Sequence, residues 1–462
     1  MKKIFSSLLL VLLVTGLSFA QLSLTYTIHG LQNGKVYLSS VYGSLHEPVD
    51  SCSSSDGIII FNKIEKHPTG VYRISFQDSL YTDVILNHEN VIMANDIKNL
   101  SGSIRIIESE ENKIFYEYWQ MEWPINDSIR IISKLGDAIY EANGHKLTPD
   151  LDSMALKAYQ LSDKLDKYTY SLISKSQGLY VCKLLKAYVT PDWPAYKKTP
   201  GVQFYKSKHA FLKEHFFDNV DFSDSTLLNS EVFYVLCTDY LSKFVDTEND
   251  SNYIAAVDFV LNKAQPFKPV YDYILNLFIH TFEDTEWEAT FIHLVDDYLS
   301  KNTCTADESS ATLSERSAAL KKLKPDLKAP DIQMNDEAGK PVSLYAIKAK
   351  VILLMFWSPD CEHCEGVMPQ IQHIYATYHP LGLEVMAASI DLDKNAWISA
   401  INKYGMKWIC VSDHLGFQSP VVKAYNAYST PTFFLLDSEK NIITHPYSPK
   451  QMAEALQKVF GK

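Results

Sequence analysis

The chain has 462 residues, 46% of them hydrophobic and 21% charged, which is enough apolar material for folded cores and enough length for roughly two to three domains. Its 43 basic and 55 acidic residues leave a formal net charge of −12, an acidic excess that argues against nucleic acid and anionic membrane surfaces as partners. Seven cysteines in a chain this long do not make a disulfide-stapled scaffold.

Residues 1–20 have the three parts of a secretory signal peptide. Lys2 and Lys3 supply positive charge, Leu8 to Val14 form a short apolar core, and Ser18-Phe19-Ala20 gives a small–x–small cleavage site before Gln21. The apolar run is too short to span a bilayer, and no later stretch is long and apolar enough to do so. No cysteine follows the run, so a lipid anchor there is not indicated. Its removal leaves 41 basic against 55 acidic residues, a charge of −14. The expectation is export across the inner membrane into the periplasm.

Residues 21–115 read as an all-β, sandwich-like domain. Leu22, Leu24, Tyr26 and Ile28 alternate with polar residues, as a strand with one buried face requires. Asn33-Gly34 offers a tight turn before Val36-Tyr37-Leu38, and Asp56-Gly57 offers another before Ile58 to Phe61. Short apolar runs follow to Ile107, the texture of a small sandwich or barrel.

Residues 116–300 read as a helical domain. Thr148-Pro149-Asp150 suits a helix start, because proline there gives up an N–H that would have no partner. Ser251 is a candidate cap for the helix in which Ile254, Val257, Leu261 and Ala264 repeat at helical spacing. The many Tyr and Phe residues are expected in the core. His215, His280 and His293 show no i, i+4 pairing of the kind that holds a metal. Residues 301–328, polar and closed by Pro325 and Pro330, read as a linker with one short helix.

Residues 329–462 hold the chemistry. Val351 to Trp357 is a continuous apolar run, as a central strand buried on both faces requires. Ser358-Pro359-Asp360 breaks it, Cys361-Glu362-His363-Cys364 follows, and a helix is predicted through Ile371, Ile374 and Tyr378. The two cysteines therefore fall where a buried strand turns into a helix start. Only a thiolate attacks a disulfide, and the unpaired N–H groups of a helix start favour an anion. Cys361, the first to emerge, is the predicted nucleophile, and Cys364 the resolving thiol. His363 can stabilise the Cys361 thiolate, while Asp360, Glu362 and Glu365 oppose it by like-charge repulsion. Trp357, at the strand's end, and Glu362 join His363 as modulating candidates. A zinc site would need a second ligand pair, and no second CxxC exists in the sequence. The other cysteines, Cys52, Cys182, Cys237, Cys304 and Cys410, stand alone. Cys182, Cys237 and Cys410 lie in apolar surroundings and are predicted to be core residues.

From Ala329 onward the chain resembles the TlpA/ResA-like branch of the thioredoxin superfamily. Ala329-Pro330-Asp331 and Asp336 through Leu344 look like that branch's leading hairpin. Leu353 to Cys364 looks like its active-site strand and motif, Leu383 to Asp391 like the next parallel strand, and Trp397 to Tyr404 with Trp408 to Val411 like its extra helix and strand. Thr430-Pro431-Thr432 matches the superfamily's cis-proline loop, which implies that Thr430 and Pro431 dock a substrate strand beside the cysteines. The resemblance implies an α/β thioredoxin fold, no cofactor and no metal, protein disulfide or dithiol substrates, and a redox partner protein. It favours a reductase-type exchange. The match departs at two positions: Met355 stands where thioredoxins carry a buried acid, and Val367 stands where many ResA-like proteins carry a glutamate.

The whole architecture, a β domain and a helical domain before such a module, resembles multidomain secreted Bacteroidetes proteins. Asp50, Asp56-Gly57 and the segment from His215 to Asp224 carry the likeness of the front part. A competing reading treats the chain as a binding or scaffold protein whose front domains recruit a partner, with a vestigial or oxidant- or isomerase-type thioredoxin module. A peroxidase would need a proline and a hydroxyl residue at set positions before a lone cysteine, and Ser358-Pro359-Asp360 does not reproduce that spacing. Oligomeric state has no signature in the sequence.

Overall fold

The computed structural model describes residues 21–77, 80–191, 208–246, 249–301 and 308–461. The expected signal peptide over residues 1–20 and Cys304 lie outside the described residues. The chain divides into two compact units, one ending at Phe244 and the other beginning at Val245.

In the first unit the strands are β1 (Ser23–His29), β2 (Lys35–Tyr42), β3 (Leu45–Ser53), β4 (Ile58–Asn62), β5 (Gly70–Phe76), β6 (Leu80–Leu86), β7 (Val91–Asp96) and β8 (Arg105–Glu108). They form two four-stranded sheets, β4-β1-β7-β8 and β3-β2-β5-β6. Leu24, Tyr26 and Ile28 of one sheet meet Val36, Leu38 and Ile74 of the other in a shared core, so this is a sandwich. β1 and β2 fall in different sheets, so Asn33-Gly34 forms a crossing between sheets and not the hairpin turn its sequence suggests. The Asn33 side chain accepts from the Asp56 amide at 2.9 Å, which ties this crossing to the Asp56-Gly57 turn. Both turn residues have positive φ, 51° and 77°. A Cβ on Gly57 would stand 2.5 Å from the Ile28 carbonyl oxygen, so only glycine fits.

Five described helices complete this unit: α1 (Glu110–Ala142), α2 (Pro149–Lys175), α3 (Tyr180–Tyr188), α4 (Lys208–His215) and α5 (Val232–Phe244). Thr148 caps α2 through the Leu151 amide, with Pro149 in the first turn. Two buried side chains in the first turn of α1 bind the helices to the sandwich. The Glu111 carboxylate accepts from the Tyr180 and Val181 amides at 2.8 and 2.7 Å and so caps α3. The Asn112 amide accepts from the Ile85 N–H and donates to the Ile85 carbonyl, both at 2.8 Å. It serves the edge strand β6 as a neighbouring strand would.

The second unit begins with α6 (Asp250–Ala264), α7 (Lys268–Phe282), α8 (Glu288–His293), which continues as a π-helical turn over Leu294–Leu299, and α9 (Glu308–Leu320). The cap of α6 is Asn249 and not Ser251, which lies inside the first turn and donates its hydroxyl to Asn249. There follow β9 (Gln333–Asn335), β10 (Pro341–Ser343), β11 (Val351–Trp357), α10 (Glu362–Tyr378), β12 (Leu383–Ser389), α11 (Lys394–Tyr404), β13 (Ile409–Ser412), α12 (Pro420–Ala424), β14 (Thr432–Asp437), β15 (Ile442–Thr444) and α13 (Pro449–Phe460). The described strands make a seven-stranded sheet in the order β10-β9-β13-β12-β11-β14-β15, a thioredoxin fold.

Every residue of β11 is buried. Val351, Leu353, Met355 and Trp357 enter the core under α10 and α13, whereas Ile352, Leu354 and Phe356 enter the core on the opposite face. That alternation within a continuous apolar run is what a strand covered on both sides requires. Cys182, Cys237 and Cys410 are buried, Cys52 is half-buried, and the described cysteines are all free thiols. Among the described residues, no helix is long and apolar enough to cross a membrane.

Replacing Asn112 with Ala strands two buried backbone groups of Ile85. It should cost about 2–4 kcal/mol of stability in urea unfolding. An unchanged midpoint would show that β6 needs no such partner.

Candidate active site

β11 delivers the chain to the site, and α10 arranges it. After Trp357 the backbone turns, with the Cys361 amide donating to the Ser358 carbonyl at 3.3 Å. Cys361 then occupies the cap position of α10, and its Sγ accepts the Cys364 N–H at 3.1 Å. A sulfur thus takes the place usually held by a Ser or Asp oxygen. The contact also aims a backbone donor and the positive end of a helix at the predicted nucleophile.

A second loop closes on the same sulfur. β11 and β14 pair antiparallel with Phe356 opposite Thr432, so the segment entering β14 meets the segment leaving β11. The Thr430–Pro431 peptide is cis. The Cys361 thiol donates to the Thr430 carbonyl at 3.2 Å. The structure therefore brings Cys361, Cys364, Thr430 and Pro431 together.

The two sulfurs have different surroundings. Cys361 is half-buried, whereas Cys364 is 1% exposed and packs with Met355, Trp357, Met368 and Phe433. Burial pushes the Cys364 thiol up to about 12, and the adjacent Cys361 sulfur adds to the shift. Bonds from the Ser358 backbone and the Thr430 hydroxyl pull the other way, more weakly. Met355 is fully buried and Val367 packs against the same core, so both positions that lack an acid are apolar. Among the described residues no carboxylate is hydrogen-bonded to either sulfur, and Glu365 is paired with Lys403 at 2.9 Å.

The predicted modulators are spread out. Glu362 and His363 are exposed on the first turn of α10, and among the described residues neither hydrogen-bonds a sulfur. Trp357 is fully buried; its carbonyl accepts from Ile390 at 3.0 Å, and its indole N–H has no partner among the described residues. No group of three or more His, Cys, Asp or Glu side chains among the described residues could hold a metal ion.

Sequence reasoning missed the space beside Pro431. A cavity of about 160 Å³ lies there, walled by Pro431, Thr432 and Tyr447 and, from the end of α7 onward, by Phe282, Glu283 and Asp284. The only sequence signal was in the segment read as a linker. Leu313, Arg316, Ser317 and Leu320 recur at helical spacing, and all four are buried, a charged residue among them.

Residues 325–445 match the AhpC/TSA family, and residues 154–282 match a domain of unknown function, DUF5106. The thiol-disulfide oxidoreductase ResA of Bacillus thuringiensis is 29% identical over 134 residues, covering 28% of this chain and 76% of that protein. The ResA of Bacillus subtilis is 29% identical over 115 residues, covering 25% and 63%. Among solved structures, a thioredoxin-like protein from Bacteroides caccae aligns over 56% of this chain and 96% of its own, with 20% identity and a TM-score of 0.43. A thiol-disulfide oxidoreductase from Bacteroides fragilis aligns over 29% and 98%, with 24% identity and a TM-score of 0.28.

The contrast between the sulfurs can be read by alkylation of the reduced protein and peptide mapping. Iodoacetamide at neutral pH should label Cys361 and leave Cys364 unmodified until the pH approaches about 12. Equal labelling at neutral pH would contradict the burial account.

Proposed function

We propose that this chain, whose carboxy-terminal domain is an AhpC/TSA-type thioredoxin-like domain with ResA thiol-disulfide oxidoreductases as homologues, reduces disulfides of client proteins in the periplasm through Cys361 and Cys364. The observation that carries this reading is the Cys361 sulfur. It lies at a helix start, 3.1 Å from the Cys364 amide and 3.2 Å from the carbonyl that precedes Pro431.

In the forward step the Cys361 thiolate attacks one sulfur of a client disulfide. A Cys361–client bond forms, the client S–S bond breaks, and the departing client sulfur takes up a proton. Cys364 then gives its proton to solvent and attacks Cys361 Sγ. The second client sulfur leaves and is protonated in turn. Two electrons pass to the client, and the module is left with a Cys361–Cys364 disulfide. A dithiol partner protein returns it to the reduced form. Thr430 and Pro431 hold the client strand by its backbone, while His363 and Glu362 adjust the charge around Cys361. Trp357 fills the floor under Cys364.

Cys364 supports this direction. Opening the internal disulfide by attack on Cys361 expels Cys364, and a thiol whose burial raises it to about 12 is a poor leaving group. Little Cys364 thiolate forms near neutral pH to stabilise the reduced pair, and it is a stabilised reduced form that makes a disulfide oxidising, so this favours a reductant.

A second reading, capture of a partner by the front domains, draws support from a groove of about 670 Å³ in the first unit. It is lined by Leu80, Tyr81, Trp119 and Trp123, the last of these 68% exposed.

The reduction potential of the Cys361–Cys364 pair, set in defined thiol buffers, decides between them. A value near thioredoxin's, about −270 mV, is expected. A value of about −180 to −120 mV would make the protein an oxidant or isomerase. Absence of a reversible disulfide, with partner capture retained in Cys361→Ala, would leave the binding reading. Cys364→Ser should accumulate a mixed disulfide with the client, and Cys361→Ser should form none.

A further inference from the structure

We infer that Arg316 is a positioning residue for client docking: it ties the loop that carries Pro431 to the turn after α7 and so sets the cleft beside the cis-proline that a client polypeptide would enter. This rests on the exchange chemistry proposed above.

Arg316 projects from α9 and is 7% exposed. Its Nε donates to Asn426 Oδ1 at 2.9 Å. Nη1 donates to Glu283 Oε2 at 2.9 Å, and Nη2 to the Glu283 carbonyl at 2.9 Å and to Asp284 Oδ1 at 2.6 Å. The guanidinium also lies over the Tyr428 ring, 4.9 Å from its centroid. A buried cation must be paired, and a planar fork fixes the direction of each pairing, which a lysine ammonium cannot do.

The partners come from two segments of the chain that both line one cavity. Asn426 and Tyr428 belong to the loop that runs into Thr430 and Pro431, whereas Glu283 and Asp284 follow α7. Asn426, Glu283, Asp284 and Pro431 all line the cavity beside the cis-proline. One side chain thereby joins two walls of the space that a client strand, laid along Pro431, would enter.

The helical wall has other attachments. Glu288 Oε1 lies 2.5 Å from His445 Nδ1 and accepts from the Tyr447 hydroxyl at 2.8 Å. Gln451 donates to Glu286 at 2.7 Å. Loss of Arg316 therefore frees the loop and leaves the wall docked. Neither sulfur touches Arg316, so its loss should alter how a client is held and not the thiol chemistry.

The test uses the full mature protein as wild type, Arg316→Lys, Arg316→Met and Asn426→Gly. The last removes the loop side of the tie and keeps a residue that tolerates Asn426's φ of 48°. Insulin serves as protein disulfide and dithiobis(nitrobenzoate) as small disulfide, with the reduction potential and urea unfolding measured alongside. The expected result is a KM for insulin raised about tenfold or more, with small-disulfide rates and the potential unchanged. An insulin KM within about twofold of wild type in the folded variants overturns the inference. So does a parallel change in both substrates and the potential, which marks a purely structural role. If Arg316→Met does not fold, Arg316→Lys and Asn426→Gly decide the matter on the same readouts. A wild type that exchanges neither disulfide sinks the exchange reading itself, and this inference with it.

Discussion

Because β11 is buried on both faces, its chain cannot meet solvent until after Trp357, and the residues that emerge there, Ser358 to Asp360, lead directly into α10. The unpaired N–H groups of that helix need an acceptor, and the side chain in the capping position is a cysteine. The rest of the carboxy-terminal domain depends on this coincidence. The register of β14 against β11 presents a backbone carbonyl to the same sulfur, and the packing of α10 on the sheet draws the second cysteine into the core. One sulfur is shared between backbone donor and backbone acceptor, and the other is surrounded by hydrocarbon and aromatic rings.

That asymmetry comes without an acidic group beside the inner sulfur. With Met355 and Val367 in place of carboxylates, Cys364 has no fixed proton acceptor among the described residues, and its thiol form is favoured by burial. In the proposed exchange the inner thiol acts late, once a client is bound to Cys361.

The parts of this arrangement legible in the sequence were those with a strict period or a rare residue in a set place. The unbroken apolar run of β11, the CxxC at its end, and the proline before Phe433 each declared their surroundings, as did the alternation in β1. What remained hidden depended on partners distant in sequence. The Asn33-Gly34 pair has the chemistry of a hairpin turn, but the sheet that receives β2 is decided by packing across the sandwich, which no local pattern encodes. The break between Phe244 and Val245 falls within a stretch of uniformly helical texture, so composition does not mark it. Arg316 sits in a polar, charged segment that reads as a linker, and only its place on the same helix face as Leu313 and Leu320 separates it from a solvated charge.

The ties from Glu286, Glu288 and Arg316 to Asn426, His445, Tyr447 and Gln451 bear on how far this protein is modular. A recombination joint at Ala329, where the sequence first looks like a self-contained cassette, would carry away both cysteines and leave behind groups that pair with the loop carrying Pro431 and with the segment after β15. A joint before α6 would keep them together. If Arg316 sets the docking cleft as proposed, the unit to transplant between chains with its choice of client intact is larger than the unit that holds both cysteines.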